Sequence, residues 1–116
     1  MITPMARQRT SQSAPRQGDL AVEPVAGFDD LADALLAMRT REEAKRFLRD
    51  LCTLPELQAL THRWQIARLV ALEVPYLEIA ERVPTSTATV TRVAQWVRRG
   101  SGGYQLALER TQRARR

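Results

Sequence analysis

The sequence predicts an all-α domain of about six helices, and three observations carry that expectation. From Phe28 onward apolar residues recur at three- and four-residue spacing, the signature of one buried helical face. No segment alternates apolar and polar residues as a half-buried strand does. Near the C-terminal end, two short apolar stripes flank a three-residue break, the pattern of a helix-turn-helix. At 116 residues the chain supports one domain, and a tail at each end leaves a folded part with a thin core. Association with a second copy is the natural remedy.

The elements follow in order. Residues 1–27, rich in Gln, Ser, Thr, Pro and Arg, cannot bury enough apolar surface to offset ordering entropy, so they are expected to form a disordered arm. Arg7, Arg9 and Arg16 give that arm some means of touching DNA, although a passive tail is the better reading. A first helix carries Leu31, Leu35 and Met38 on one stripe, with Asp29, Asp30 and Asp33 near its start, where carboxylates meet the positive end of the helix dipole. Thr40-Arg-Glu-Glu43 reads as a capping box opening a second helix with Ala44, Phe47, Leu48 and Leu51 on its apolar face. Cys52, at helical spacing from Leu48, is expected in the core.

Thr53-Leu-Pro-Glu56 is a second capping box, with proline tolerated in a first turn, and it opens a long helix through Leu57, Leu60, Trp64, Ile66, Ala67, Val70 and Ala71. These residues lie on more than one side. A solvated helix needs a single buried stripe, so the long helix belongs in the middle of a bundle or at a subunit interface. Glu73-Val-Pro75 ends it. The helix-turn-helix occupies residues 75–98, and Gly100-Ser-Gly-Gly103 breaks the chain before a last short helix with Tyr104, Leu106 and Leu108. The helical domain therefore spans residues 28–110, followed by a basic tail over 111–116.

Within the helix-turn-helix, Ile79 and Val83 sit one turn apart and Val90, Val93 and Val97 repeat at three and four. Ala80 is small enough to let the second helix cross close over the first. Pro84 stands where many such motifs place glycine, and it holds Val83 extended, so the turn departs from the commonest type. Opposite the valine stripe, Thr87, Ala88, Thr91, Arg92 and Gln95 form a face of small, hydroxyl, amide and guanidinium groups that fits a major groove. Arg92 can pair bidentately with guanine and Gln95 with adenine. Ser86, or Thr85, can cap the helix start, while Ser86, Arg98 and Arg99 are candidates for phosphate contact.

Charge supports this reading of a DNA-binding surface. Residues 92–116 hold seven arginines against Glu109, whereas residues 28–91 carry eight cationic side chains against ten carboxylates. Cationic character is thus concentrated at and after the recognition helix, where phosphate contacts would supply salt-sensitive affinity. The terminal Arg110–Arg116 stretch reads equally as a frayed tail or a phosphate grip. The lone Cys52 excludes an internal disulfide and a multi-cysteine metal site, and no cofactor or metal is expected. The absence of a long apolar run and of a signal-like start points to a cytoplasmic protein with no membrane partner.

Catalysis finds little footing. His62 has no nucleophile arrangement around it, Gly100–Gly103 lacks the residues of a phosphate loop, and Glu42 and Glu43 are solvated by helical phase. A partly buried, hydrogen-bonded histidine is the expectation for His62, and core or interface anchoring for Trp64 and Trp96.

Leu51-Cys-Thr-Leu-Pro-Glu-Leu-Gln-Ala-Leu-Thr-His-Arg63, the long helix after it and Thr87-Ala-Thr-Val-Thr-Arg92 together resemble the tryptophan repressor family. Tyr76-Leu-Glu-Ile-Ala-Glu81, Ser86-Thr-Ala-Thr-Val-Thr-Arg-Val93 and Gly102-Gly-Tyr104 are similar to the branch labelled YerC/YecD, and the similarity covers about residues 31–110. The resemblance implies an intertwined all-helical homodimer that places two recognition helices in successive major grooves of a pseudo-palindromic operator on double-stranded DNA. It implies a transcription regulator, expected to be a repressor.

By the same match, Arg63 and Arg92 take the positions of the two arginines that flank the family's bound indole. Val93 follows where the repressor has a space-making glycine, and Trp96 stands where that family has a small serine. Arg63, Arg92, Val93 and Trp96 therefore read as a vestigial ligand pocket whose gap the valine fills permanently. Tryptophan is not expected to be the corepressor, and the sequence names no other effector. Arg63 is then expected to serve as an ion-pair partner. Two further readings keep the fold: a protein-interaction module whose basic face engages an acidic partner, and a non-specific architectural DNA-binding protein with a steep salt dependence but no base preference.

Overall fold

The computed structural model describes residues 25–114, with side chains to Gln112, and these form six α-helices without a strand among them. Helix α1 spans Phe28–Ala37, α2 Arg41–Leu51, α3 Leu54–Ala71, α4 Tyr76–Arg82, α5 Thr87–Arg99 and α6 Gly103–Ala114. The all-α expectation and the helix count hold. Nearly all of the expected N-terminal arm, and the end of the basic tail, lie outside the described residues.

Local chemistry fixes the boundaries. Thr53 Oγ1 accepts the Glu56 backbone N–H at 3.2 Å, and the Glu56 carboxylate accepts the Thr53 N–H at 2.8 Å, so the capping box at the start of α3 is complete. The box expected at α2 is only half formed. Thr40 Oγ1 accepts the Glu43 N–H at 3.1 Å, but the Glu43 carboxylate reaches one residue further back, to the Arg39 N–H at 2.8 Å. An orphan donor is satisfied either way.

Helix α3 ends in a Schellman arrangement: the Val74 N–H donates to the Leu69 carbonyl at 3.1 Å and the Glu73 N–H to Val70 at 2.9 Å. This requires Glu73 at φ 61°, a left-handed conformation more usual for glycine. At the far end, α6 runs on through Ala114, where the Thr111 hydroxyl donates to the Ala107 carbonyl at 2.8 Å. The first four residues of the expected tail are therefore helical.

The core is small and lies toward one end. Among the described residues Ile66, Ala67, Val70, Ile79, Val83, Val90, Val93, Ala94 and Val97 are buried, and all belong to α3, to α5 or to α4 and its cap. Helices α4 and α5 pack on the C-terminal half of α3, and α6 closes over α5 and α3. Trp64 and Tyr104 stack across α3 and α6, with centroids 6.5 Å apart and planes 7° from parallel.

By contrast, α1 and α2 bury no residue against their own chain. Leu36 is 81% exposed and Leu54 68%, while Phe28, Leu35, Leu51 and Leu60 are also exposed. Cys52 is not part of the buried core: it caps the C-terminus of α2 and is half buried, because the face it shares with Leu51 has no covering helix in the protomer. The breadth of apolar surface read from α3 is real, but only Ile66, Ala67 and Val70 of it are buried. None of the described helices is long and apolar enough to cross a membrane.

Candidate nucleic-acid interface

Helices α4 and α5 are joined by Val83–Ser86, four non-helical residues rather than the expected three, because Val83 leaves the helix as the extended C-cap of α4, while Ser86 is the N-cap of α5 as expected. Val83 adopts φ −112° and ψ 105°, the extended conformation that Pro84 imposes on the residue before it. Ile79 and Val90 are fully buried against each other's helices, with Ala80 half buried beside them, so the small residue does sit at the close crossing.

The valine stripe is the buried side of α5. Thr87, Ala88, Thr91, Arg92 and Gln95 all fall on its exposed side, together with Ser86, Arg98 and Arg99 around the two ends. The eight residues predicted from the sequence thus occupy one continuous outer surface of a single helix and its cap. Ser86 Oγ accepts the Thr89 N–H at 3.1 Å. With no acidic residue in the first turn, the Thr87 and Ala88 N–H groups and the positive dipole end face solvent uncompensated, as an anion site requires. The Thr91 hydroxyl donates to the Thr87 carbonyl at 2.9 Å, which leaves its oxygen free to accept.

Arg98 and Arg99 close the last turn, where cations complement the negative end of the helix. Neither they nor Arg92 form an ion pair among the described residues, whose salt bridge joins Arg82 to Glu78 at 2.5 Å on α4. Three guanidinium groups on one helix therefore remain available to phosphate or base edges.

The residues of the expected vestigial pocket do not line a cavity together. Val93 is only 6% exposed and belongs to the core, whereas Arg63 and Arg92 are exposed and Trp96 is 37% exposed. Arg63 was expected to hold an ion pair. No carboxylate among the described residues reaches it; its electrostatic partner is Tyr104, whose phenol burial pushes upward in pKa while the Arg63 charge pulls it down. A cavity of about 660 Å³ instead lies among α2, α3 and α6, with Arg41, Trp64, Arg68 and Leu108 on its walls. A second, of about 450 Å³, is bounded by Val70, Glu73, Tyr76, Val97 and Arg98. His62 is half buried as expected, but its imidazole makes no hydrogen bond among the described residues, where one was expected.

The far end of α5 holds features that helical spacing did not reveal. The Gln105 side-chain amide donates to the Val97 carbonyl at 3.0 Å. A Cβ added to Gly100 would lie 2.5 Å from the Trp96 carbonyl oxygen and 2.9 Å from Cε3 of its ring. The glycine cluster after Arg99 was a visible signal of a tight junction, but the amide bond spans eight residues and leaves no periodic trace.

Comparison with known proteins agrees with the fold. A family model described as Trp repressor protein matches residues 26–112. YerC of Bacillus subtilis (strain 168) is 36% identical over 83 residues, 72% of this chain and 80% of that protein. A crystal structure from Staphylococcus aureus, assigned by its name to the Trp repressors, superposes with a TM-score of 0.71 at 36% identity over 77% of this chain and 89% of that one. A TrpR-like protein from Eubacterium eligens ATCC 27750 gives 0.70 at 33% identity over 75% and 90% respectively.

Proposed function

Because the chain belongs to the Trp repressor protein family, a family of DNA-binding transcription regulators, we propose that it acts as a homodimer that reads a pseudo-palindromic operator through the major groove and represses by occupying it. One observation carries the reading. The outward face of α5 presents Thr87, Ala88, Thr91, Arg92 and Gln95 without a bulky residue or a competing ion pair, and cationic groups flank it. A face of this shape and charge matches base edges flanked by phosphates.

The dimer is supported by the other end of the molecule. Helices α1 and α2 contribute no fully buried residue, while Leu36, Leu54 and Leu60 face outward. Several large exposed apolar side chains at one end of a small domain favour association there. Two-fold pairing through it would present two recognition helices, one to each half-site.

The proposed regulator does not respond to tryptophan. Val93 is packed into the core between α5 and α3, so its isopropyl group already fills the volume that a glycine would leave open.

Retention of a mixed-sequence duplex at graded salt, in competition with poly-glutamate, tests the DNA-binding part of the reading. The expected result is steeply salt-dependent binding that survives poly-glutamate at equal charge concentration, since flexible carboxylates cannot reproduce the groove. Displacement of the duplex by the polyanion would assign the face to an acidic protein partner instead.

A further inference from the structure

Helix α5 ends without the usual glycine cap. Gly100, its C-cap, has φ −81° and ψ −153°, and Ser101 after it, where a left-handed residue would return backbone N–H groups to the last carbonyls, is not at positive φ. Its own N–H donates to Trp96 at 3.0 Å, but the carbonyl of Val97 needs another donor. The donor is the side-chain amide of Gln105, from the next helix, at 3.0 Å in a partly buried position.

The carbonyl of Val97 and the N–H of Arg98 belong to one planar peptide group. Holding that carbonyl therefore restrains, from the side the helical ladder leaves open, the plane from which the Arg98 side chain departs, and Arg99 follows it. Two constraints reinforce the bond. A side chain at Gly100 would strike the Trp96 carbonyl, so the junction has one tight path. Helix α6, which carries Gln105, is itself anchored by the stack of Tyr104 on Trp64.

We propose that Gln105 is a positioning residue for phosphate contact: it acts through the Val97–Arg98 peptide to aim the cationic end of the recognition helix, and does not itself touch DNA. The inference rests on the DNA-binding reading above. It assigns base preference to the outward face of α5, and part of the sequence-independent affinity to a side chain on a different helix.

The test measures duplex affinity against salt for the full chain, for Gln105→Met, which keeps the length but removes the donor, and for Gln105→Glu, which sets a carboxylate against the carbonyl. Loss of one phosphate contact lowers the slope of log affinity against log salt by about 0.9, which amounts to about a fivefold loss at roughly 0.15 M salt. That change is expected for Gln105→Met on every duplex, with relative preference among sequences intact. In an Arg98→Ala, Arg99→Ala background the same substitution should cost nothing further. A merely structural Gln105 would lower the thermal midpoint and leave affinity and slope of the folded protein at wild-type values, and that result would overturn the proposal. If Gln105→Met did not fold, an unchanged slope in Gln105→Glu would overturn it equally. Failure of the wild-type chain to bind any duplex would instead remove the DNA reading itself.

Discussion

Replacing Val93 by alanine asks whether this side chain fills the core or merely borders a ligand pocket. Val93 is 6% exposed and packs in the cluster that joins α3, α4 and α5. Losing two buried methyl groups costs about 1.6 kcal/mol in transfer free energy. A residual void of roughly 45 Å³ adds about 1 kcal/mol. Alanine is the better helix former by about 0.5 kcal/mol, which offsets part of this. The net loss is therefore about 2 kcal/mol, or a fall in thermal midpoint of about 8–16 °C for a domain of this size. Calorimetry at fixed protein concentration reads that fall directly. Adding tryptophan to about 100 times a dissociation constant would raise stability by about 2.7 kcal/mol in any protein that binds it in the folded state. For the wild-type chain, millimolar tryptophan should leave the midpoint where it is. A cost below about 0.5 kcal/mol for Val93→Ala, or a wild-type midpoint that rises by several degrees with tryptophan, would refute the claim that the isopropyl group occupies the pocket.

Three other outcomes follow from the same structure. Glu73→Gly should stabilise: a left-handed residue costs about 1–2 kcal/mol, glycine gives back about 0.5–1 kcal/mol through its freer unfolded chain, and a thermal midpoint below wild type would show that φ 61° carries no strain here. Arg92→Ala should cost about 1–3 kcal/mol on the preferred operator and relax preference at one position, whereas Arg99→Ala should weaken all duplexes alike and flatten the salt slope by about 1; equal losses on every sequence for Arg92→Ala would remove it as a base reader. Tyr104 keeps its proton more tightly when folded because burial disfavours the phenolate, with Arg63 opposing. Its contribution to stability is therefore complete below pH about 10 and is lost as pH rises through the folded value. Chemical denaturation at alkaline pH should show a decline in stability that Tyr104→Phe reduces, and an identical decline in the variant would refute the assignment.

Periodicity made the recognition unit readable from residue order. Ile79, Val83, Val90, Val93 and Val97 recur at helical spacing, and all five are buried. The threonine–glutamate pairs were equally visible because a capping box is a local contact over three residues. What escaped was set by relations across elements. Glu73 at positive φ looks like any surface glutamate, and Gln105 reaches Val97 only after the glycine junction turns α6 back. For the same reason, the ion pair expected of Arg63 and the burial expected of Cys52 failed: both assumed neighbours that the protomer does not bring to them. Capping at α2 differed by one residue because a glutamate side chain can satisfy either the Thr40 or the Arg39 N–H. The Arg63–Arg92 pocket came from likeness to a family; Val93 is buried, as a filled gap requires, but Arg63, Arg92 and Trp96 are exposed.

Selection of bound sequences from a random duplex library at about 0.15 M salt tests the central claim most directly. A dimer that presents two copies of the α5 face should enrich a two-fold-related motif whose half-sites lie about 34 Å apart, one turn of DNA. Enrichment of a single unpaired half-site, or of no sequence at all, would contradict the account of a dimeric operator reader.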